Sequence, residues 1–167
     1  MAYGLSGTVS VIDTSTNKVV KAVGLTRMPM GIAITPNGNY AYVTTGNSAD
    51  TTWGSVSVIK TSTNTVVKTV TLGIAWGPSG VAITPNGSYA YVANERRGSV
   101  TVIKTSTNTL VKTVQLGTGE PFAVAITPNG SDAYVTDGNS VSVIATSTNT
   151  WVNTATVGSG SDGVAIT

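Results

Sequence analysis

Hydrophobic and polar residues alternate through much of this chain in short runs that are separated by turn residues. Residues 99–103 read Ser-Val-Thr-Val-Ile, and residues 8–12 repeat the pattern as Thr-Val-Ser-Val-Ile. A period of two predicts half-buried β-strands, because successive side chains of a strand point to opposite faces. No segment has a convincing helical period, so the pattern predicts an all-β protein.

Two phrases recur along the chain and define a structural repeat. Thr-Ser-Thr-Asn begins at Thr14, Thr61, Thr105 and Thr146, which gives spacings of 47, 44 and 41 residues. A phrase ending in Ala-Ile-Thr keeps the same phase at residues 31–35, 80–84, 123–127 and 163–167. Repeats of this length are typical of propeller blades and helical arrays. Because the elements are strands, the period favours a β-propeller.

One repeat can be divided into four strands, A to D. Strand A (80–84) is followed by the turn Pro-Asn-Gly, whose residues suit a chain reversal. Strand B (89–93), strand C (99–103) and strand D (109–116) complete an antiparallel meander. A lone meander cannot bury both of its faces, so the copies are expected to stack around an axis with strand A innermost.

The termini predict how the ring closes. The N-terminal repeat has strands B, C and D but no strand A, whereas residues 163–167 form a fourth strand A with nothing after it. We therefore predict a single domain over residues 1–167, a four-bladed propeller of four-stranded blades whose first blade is completed by residues 163–167. A monomer is preferred. A strand-exchanged dimer, and an excised or engineered section of a longer propeller, are the alternatives.

Composition narrows the range of functions. The chain has no cysteine and no histidine, which removes thiol chemistry and the commonest general base. Its net charge of +2 comes from scattered basic residues, so no nucleic-acid footprint is predicted. No run of about 18 apolar residues is present, so no membrane insertion is predicted. The first residues do not resemble a secretory signal.

Several segments resemble YVTN β-propeller repeats. They are Ala-Tyr-Val-Ala-Asn at 90–94, residues 98–103 and 80–87, and close copies at 41–45 and 133–137 that lack the final Asn. The resemblance covers essentially the whole chain and implies a propeller of surface-layer or cell-surface type, hence an extracellular location. The wider group includes lactonase-like propellers. Rings of that family have about seven blades, within the range known for propellers, so four repeats depart from its pattern.

The loops divide the predicted ring into two rims. The A–B and C–D turns scarcely vary among the repeats, so we interpret them as structural. The B–C loops and the D–A links differ in length and chemistry, and variable loops on a rigid base are where binding residues usually lie. The predicted ligand-binding residues on this variable rim are Arg27, Trp53, Trp76, Arg96, Arg97 and Phe122. Trp76 and Phe122 have an alternative structural role, which is to plug the mouth of the axial channel.

Acidic residues on the same rim support a second interpretation. In a hydrolase they would activate water or hold a metal, and the candidates are Asp50, Glu95, Glu120, Asp137 and Asp162. The absence of histidine counts against an enzyme. No cofactor is predicted, and calcium is the alternative because its ligands are oxygens. The first hypothesis is a non-catalytic module that binds a protein or a glycan. A lactonase or esterase, and a scaffold without a native ligand, are the others.

Overall fold

The structure of the protein is a computed structural model that describes residues 7–46, 53–74, 77–117 and 119–167. These residues form strands and one short 3-10 helix, arranged in four antiparallel sheets that follow one another along the chain. The predicted all-β class is confirmed. Within the described ranges, no helix has the length and apolar character needed to cross a membrane.

The four sheets have the following strands. The first contains β1 (Gly7–Asp13) and β2 (Lys18–Leu25), and the second contains β3 (Pro29–Ile34), β4 (Tyr40–Thr45), β5 (Trp53–Lys60) and β6 (Thr65–Ile74). The third contains β7 (Pro78–Ile83), β8 (Tyr89–Asn94), β9 (Ser99–Lys104) and β10 (Thr109–Gln115), with the 3-10 helix Glu95–Arg97 between β8 and β9. The fourth contains β11 (Pro121–Ile126), β12 (Asp132–Ala145) and β13 (Thr150–Ser161).

The second and third sheets are the predicted meanders, in which neighbouring strands pair in chain order from A to D. In the fourth sheet, β12 comprises both strand B and strand C of the repeat. Its chain reverses near Gly138, which has a positive φ of 68°. The N–H of Thr146 accordingly donates to the carbonyl of Ser131 at 2.9 Å, as Thr105 donates to Ser88 in the third sheet. The repeat unit is therefore the same in all three of these sheets.

Hydrogen bonds between the two invariant turns explain why their sequences recur. The first threonine of Thr-Ser-Thr-Asn donates its hydroxyl to the glycine carbonyl of the A–B turn, Thr61 to Gly38 at 2.7 Å and Thr105 to Gly87 at 2.6 Å. The asparagine of the phrase adopts a left-handed backbone in all four copies, for example φ 53° at Asn108, a conformation that asparagine tolerates better than most residues. These contacts give the turns of this rim a structural role.

Sheets pack on one another through a repeated apolar junction. One face of the second and of the third sheet carries a tyrosine on strand B and branched residues on strands C and D, and it covers strand B and an isoleucine on strand C of the next sheet. The second and third sheets meet through Tyr42, Val56, Val58, Val70, Leu72, Val81, Ala90, Val92 and Ile103. The third and fourth sheets meet through the same positions one repeat later. This side-by-side stacking is the packing expected of propeller blades.

Inner strands approach one another closely at a glycine. A Cβ added to Gly31 of β3 would lie 2.5 Å from the Ser79 carbonyl oxygen, and one added to Gly80 of β7 would lie 2.5 Å from the Phe122 carbonyl oxygen. Thr44 spans two sheets there, since its hydroxyl donates to the Ser79 carbonyl at 2.5 Å and accepts the Gly31 N–H at 2.7 Å. Only a residue without a side chain fits between these strands.

The predicted closure of the ring is not confirmed. Residues 162–167 lie outside any strand, and among the described residues the first sheet consists of β1 and β2 without an inner strand. In the described part of the chain, the four sheets form a row in which no strand pairs the first sheet with the last. The physical reason is that a strand persists only where a neighbour satisfies its backbone groups, and the sheet that residues 163–167 would complete stands at the other end of the row.

Candidate functional site

The variable rim carries most of the residues predicted to bind. Asp50 and Trp76 lie outside the described residues. Apart from Asp162, which follows β13, the other candidates lie in two groups, one where the β2–β3 link meets the start of β5, and one around the 3-10 helix and the start of β11.

Arg27 and Trp53 line one open cleft of about 380 Å³. Trp53 is the first residue of β5, and 50% of its surface is exposed. Thr26 and Arg27 belong to the link that leads from β2 to β3, while Thr69 and Thr71 of β6 complete the wall. The cleft therefore combines an indole, a guanidinium and several hydroxyls, which together can contact apolar, anionic or hydroxylated groups.

A second depression lies between the inner strands. It measures about 120 Å³ and is lined by Met30, Gly31, Ser79, Gly80, Phe122 and Ala123. Met30 and Phe122 are each about two-fifths exposed. The hydroxyl of Ser79 donates to the Phe122 carbonyl at 2.9 Å, which fixes the backbone beneath the ring. Phe122 is thus presented at the edge of the inner strands with much of its surface open to solvent.

The 3-10 helix Glu95–Arg97 adds charge beside this depression. The N–H of Glu95 donates to the Gly77 carbonyl at 3.1 Å, which ties the helix to the start of the third sheet, and the helix contacts β11. Arg96 and Arg97 are exposed on it, and Glu95 is half-buried. Two guanidinium groups therefore stand on the same side of the molecule as Phe122.

Asp137 has an environment that the sequence did not reveal. It is only 6% exposed at the end of strand B in the fourth sheet, and within the described residues its Oδ1 atom has no hydrogen-bond partner. Burial raises its pKa, and the nearby charge of Glu120 raises that pKa further. Asn94 occupies the same position in the third sheet and is fully buried, with its amide group donating to Thr101 at 2.9 Å. This equivalence was the available signal that Asp137 would be buried.

The acidic candidates do not form one cluster. Glu120 and Asp137 adjoin, whereas Asp162 is exposed in the segment after β13. In the part of the chain that the structure describes, no three acidic side chains are grouped so that they could hold a metal ion. The structure therefore brings together one pair from the predicted set.

Comparisons with known proteins support the fold. No protein-family model and no curated protein matches the chain. Among solved structures, the RRP9 WD40 repeats match 96% of this chain and 46% of theirs, with a TM-score of 0.72 and 15% identity. U3-55K matches 84% of this chain and 42% of its own, with a TM-score of 0.70 and 15% identity. Hydrazine synthase of Kuenenia stuttgartiensis matches 78% of this chain and 37% of its own, with a TM-score of 0.67 and 26% identity.

These similarities establish a β-propeller arrangement of the sheets. The chain spans less than half the length of each of these structures. Because no family model matches, membership of the YVTN group remains a prediction.

Proposed function

We propose that this chain is a non-catalytic binding module that holds a protein or a glycan on its variable rim, in the manner of a cell-surface propeller. The observation that carries the proposal is the set of half-exposed apolar side chains on this rim. Trp53, Met28, Met30 and Phe122 are each between 41% and 50% exposed. They accompany Arg27, Arg96 and Arg97.

The chemistry of this set is that of an interface. Tryptophan, methionine, phenylalanine and arginine are enriched where proteins meet, and tryptophan and arginine dominate the binding energy of many complexes. The opposite rim differs, because its threonine and asparagine groups are largely used in hydrogen bonds between the turns of one blade, as at Thr61 and Thr105. The proposal therefore places the binding surface on the variable rim.

Substitutions on the variable rim and on the opposite rim can be compared directly. Trp53→Ala and Arg27→Ala alter the variable rim, and Tyr40→Ala is the matched control, since Tyr40 is an exposed aromatic residue in a cleft of about 290 Å³ at the structural turns. Binding is measured on a glycan array and by capture from a cell-surface protein fraction, with far-UV circular dichroism as the check on folding.

We expect the rim variants to lose a captured glycan or protein while Tyr40→Ala keeps it. Capture that is unchanged in Trp53→Ala and Arg27→Ala, or lost equally in Tyr40→Ala, would refute the proposal. If the unmodified protein captures neither class of ligand, the result favours a scaffold without a native ligand.

A hydrolase is the second candidate, and one observation favours it. Glu120 adjoins Asp137, whose raised pKa is a property of carboxyl groups that act as general acids. Activity on a panel of esters and lactones that is abolished by both Asp137→Asn and Glu120→Gln, but kept by Asp162→Asn, would support it. Burial of Asp137 instead favours a structural role, which is why binding is the preferred function.

A further inference from the structure

The described residues form three junctions between sheets, and each end of the row exposes one half of a further junction. Ile59, Ile103 and Ile144 occupy the same position on strand C, where each is covered by the preceding sheet and is 3%, 0% and 0% exposed. Ile12 occupies that position in the first sheet and is 56% exposed. Among the described residues, no other sheet packs on this receiving face of the first sheet.

The last sheet presents the other half. Leu25, Leu72 and Leu116 lie near the end of strand D, pack on the following sheet and are 6%, 7% and 4% exposed. Val157 has this position in β13 and is 39% exposed. The covering face of the fourth sheet is therefore open in the same way.

The junctions also contain a hydrogen bond from a tyrosine to an asparagine, and the ends of the row carry one such donor and one such acceptor. The hydroxyl of Tyr42 donates to Asn108 of the next sheet at 2.5 Å, and that of Tyr91 donates to Asn149. One repeat later the donor is Tyr134, for which no hydrogen-bond partner exists among the described residues. The matching acceptor is Asn17, whose side chain is likewise unpartnered in that part of the chain and whose φ of 54° equals that of Asn108 within one degree.

Among the described residues, the first sheet has no inner strand, and the segment after the last sheet has the sequence of one. Ile32 of β3 is 53% exposed although its equivalent Val81 is 9% exposed, because the sheet before β3 has no described inner strand to cover it. Residues 163–167 repeat the sequence of β3 and β7, follow β13 after one residue and pair with no strand of the described ranges.

We propose that two copies of this chain join head to tail, so that the last sheet of each covers the first sheet of the other. Residues 163–167 of one copy then supply the inner strand of its partner's first sheet, the sheet that contains β1 and β2. Each of the two junctions buries Ile12, Ile32 and Val157 and forms the bond from Tyr134 to Asn17. Eight sheets result, at the upper end of the range of about four to eight blades found in propellers.

The curvature of the row favours a second copy over closure within one chain. Nearly the whole chain, 96%, superposes on 46% of a WD40 structure, so the row has the shape of about half a ring. Two half rings with complementary ends form a heterologous contact that closes by rotation, and such contacts produce finite oligomers.

Mass measurement tests the proposal. Light scattering coupled to size exclusion, at several concentrations, should give twice the chain mass of 16.9 kDa. Ile12→Lys and Val157→Lys should each weaken the dimer at least about tenfold, because an unpaired ammonium group would be buried. Val20→Lys is the control, since Val20, Val67, Val111 and Val152 are exposed in every sheet and take part in no junction. It should remain a dimer.

Removal of single polar groups separates this effect from misfolding. Tyr134→Phe and Asn17→Gly should each weaken the dimer several-fold, and the double variant should be no weaker than either, because both remove one bond. A monomer at all concentrations would overturn the proposal, as would a monomer destabilised by Ile12→Lys, which would indicate closure within one chain. Masses that grow without limit, or a Val20→Lys variant that dissociates like Ile12→Lys, would also overturn it.

Discussion

Substitution of Gly80 by alanine tests the close approach of the inner strands. The new Cβ would lie 2.5 Å from the Phe122 carbonyl oxygen and 2.9 Å from the Ala123 Cα. Both atoms belong to backbone, so the strands β7 and β11 must move apart. Overpacking of this kind costs about 1–3 kcal/mol. For a chain of this length, each kcal/mol lowers Tm by about 2–4 °C, so we expect a fall of roughly 2–12 °C.

Gly24→Ala is the matched control for this measurement. Gly24 lies in β2, where a Cβ would meet nothing within 4 Å and the backbone is not left-handed. Alanine there should be neutral or stabilise by up to ~1 kcal/mol, because glycine has more conformational freedom to lose on folding. Urea unfolding of the three proteins gives the free energies. Equal stability of Gly80→Ala and the unmodified protein, or an equal loss in Gly24→Ala, would refute the proposed packing of inner strands.

Five other substitutions test the junctions and the buried acid. Ile103→Ala should destabilise the protein by about 2–5 kcal/mol in urea unfolding, because its side chain is fully buried, whereas Val67→Ala on an exposed face should change stability by less than about 0.5 kcal/mol. Burial raises the pKa of Tyr42 and of Tyr91 to about 12 from the ordinary 10. The free energy that their neutral hydroxyl groups contribute to folding is therefore present below pH 10 and lost between pH 10 and 12. Tyr42→Phe and Tyr91→Phe should lose less stability over that interval than the unmodified protein does. Because burial raises the pKa of Asp137, its contribution to the free energy of unfolding is full below the ordinary pKa of 3.8. That contribution declines as the pH rises through the higher pKa that Asp137 has in the folded protein. Asp137→Asn should therefore gain stability over the unmodified protein at pH 7 and not at pH 3; a constant difference across this range would contradict the raised pKa.

The pattern of the sequence was sufficient to predict the sheets. Alternation in segments such as residues 99–103 located the strands, and the recurrence of Thr-Ser-Thr-Asn located the turns, because both signals are local. The structural role of the turns also followed, since the asparagine of that phrase needs a left-handed backbone at each copy.

Closure of the ring could not be predicted in the same way. Residues 163–167 have the sequence of an inner strand, but strand formation depends on a neighbour that the local pattern does not contain. The environment of Asp137 was missed for a related reason. An aspartate in a loop-like sequence suggests exposure. In the structure its side chain packs closely on Gly119, since a Cβ added to this glycine would lie 1.6 Å from Asp137 Oδ1. Such contacts join segments of different sequence position, so only the fold reveals them.

Distances between methyl and aromatic groups test the stacking of the sheets most directly. In nuclear Overhauser spectra, the methyl groups of Ile103 should show contacts to Tyr42 and Val58 of the preceding sheet, and those of Ile144 should show the same contacts one repeat later, to Tyr91 and Val102. Both sets of contacts, in the same pattern, are the result that the account predicts. Contacts of Ile103 and Ile144 confined to their own sheets would contradict it.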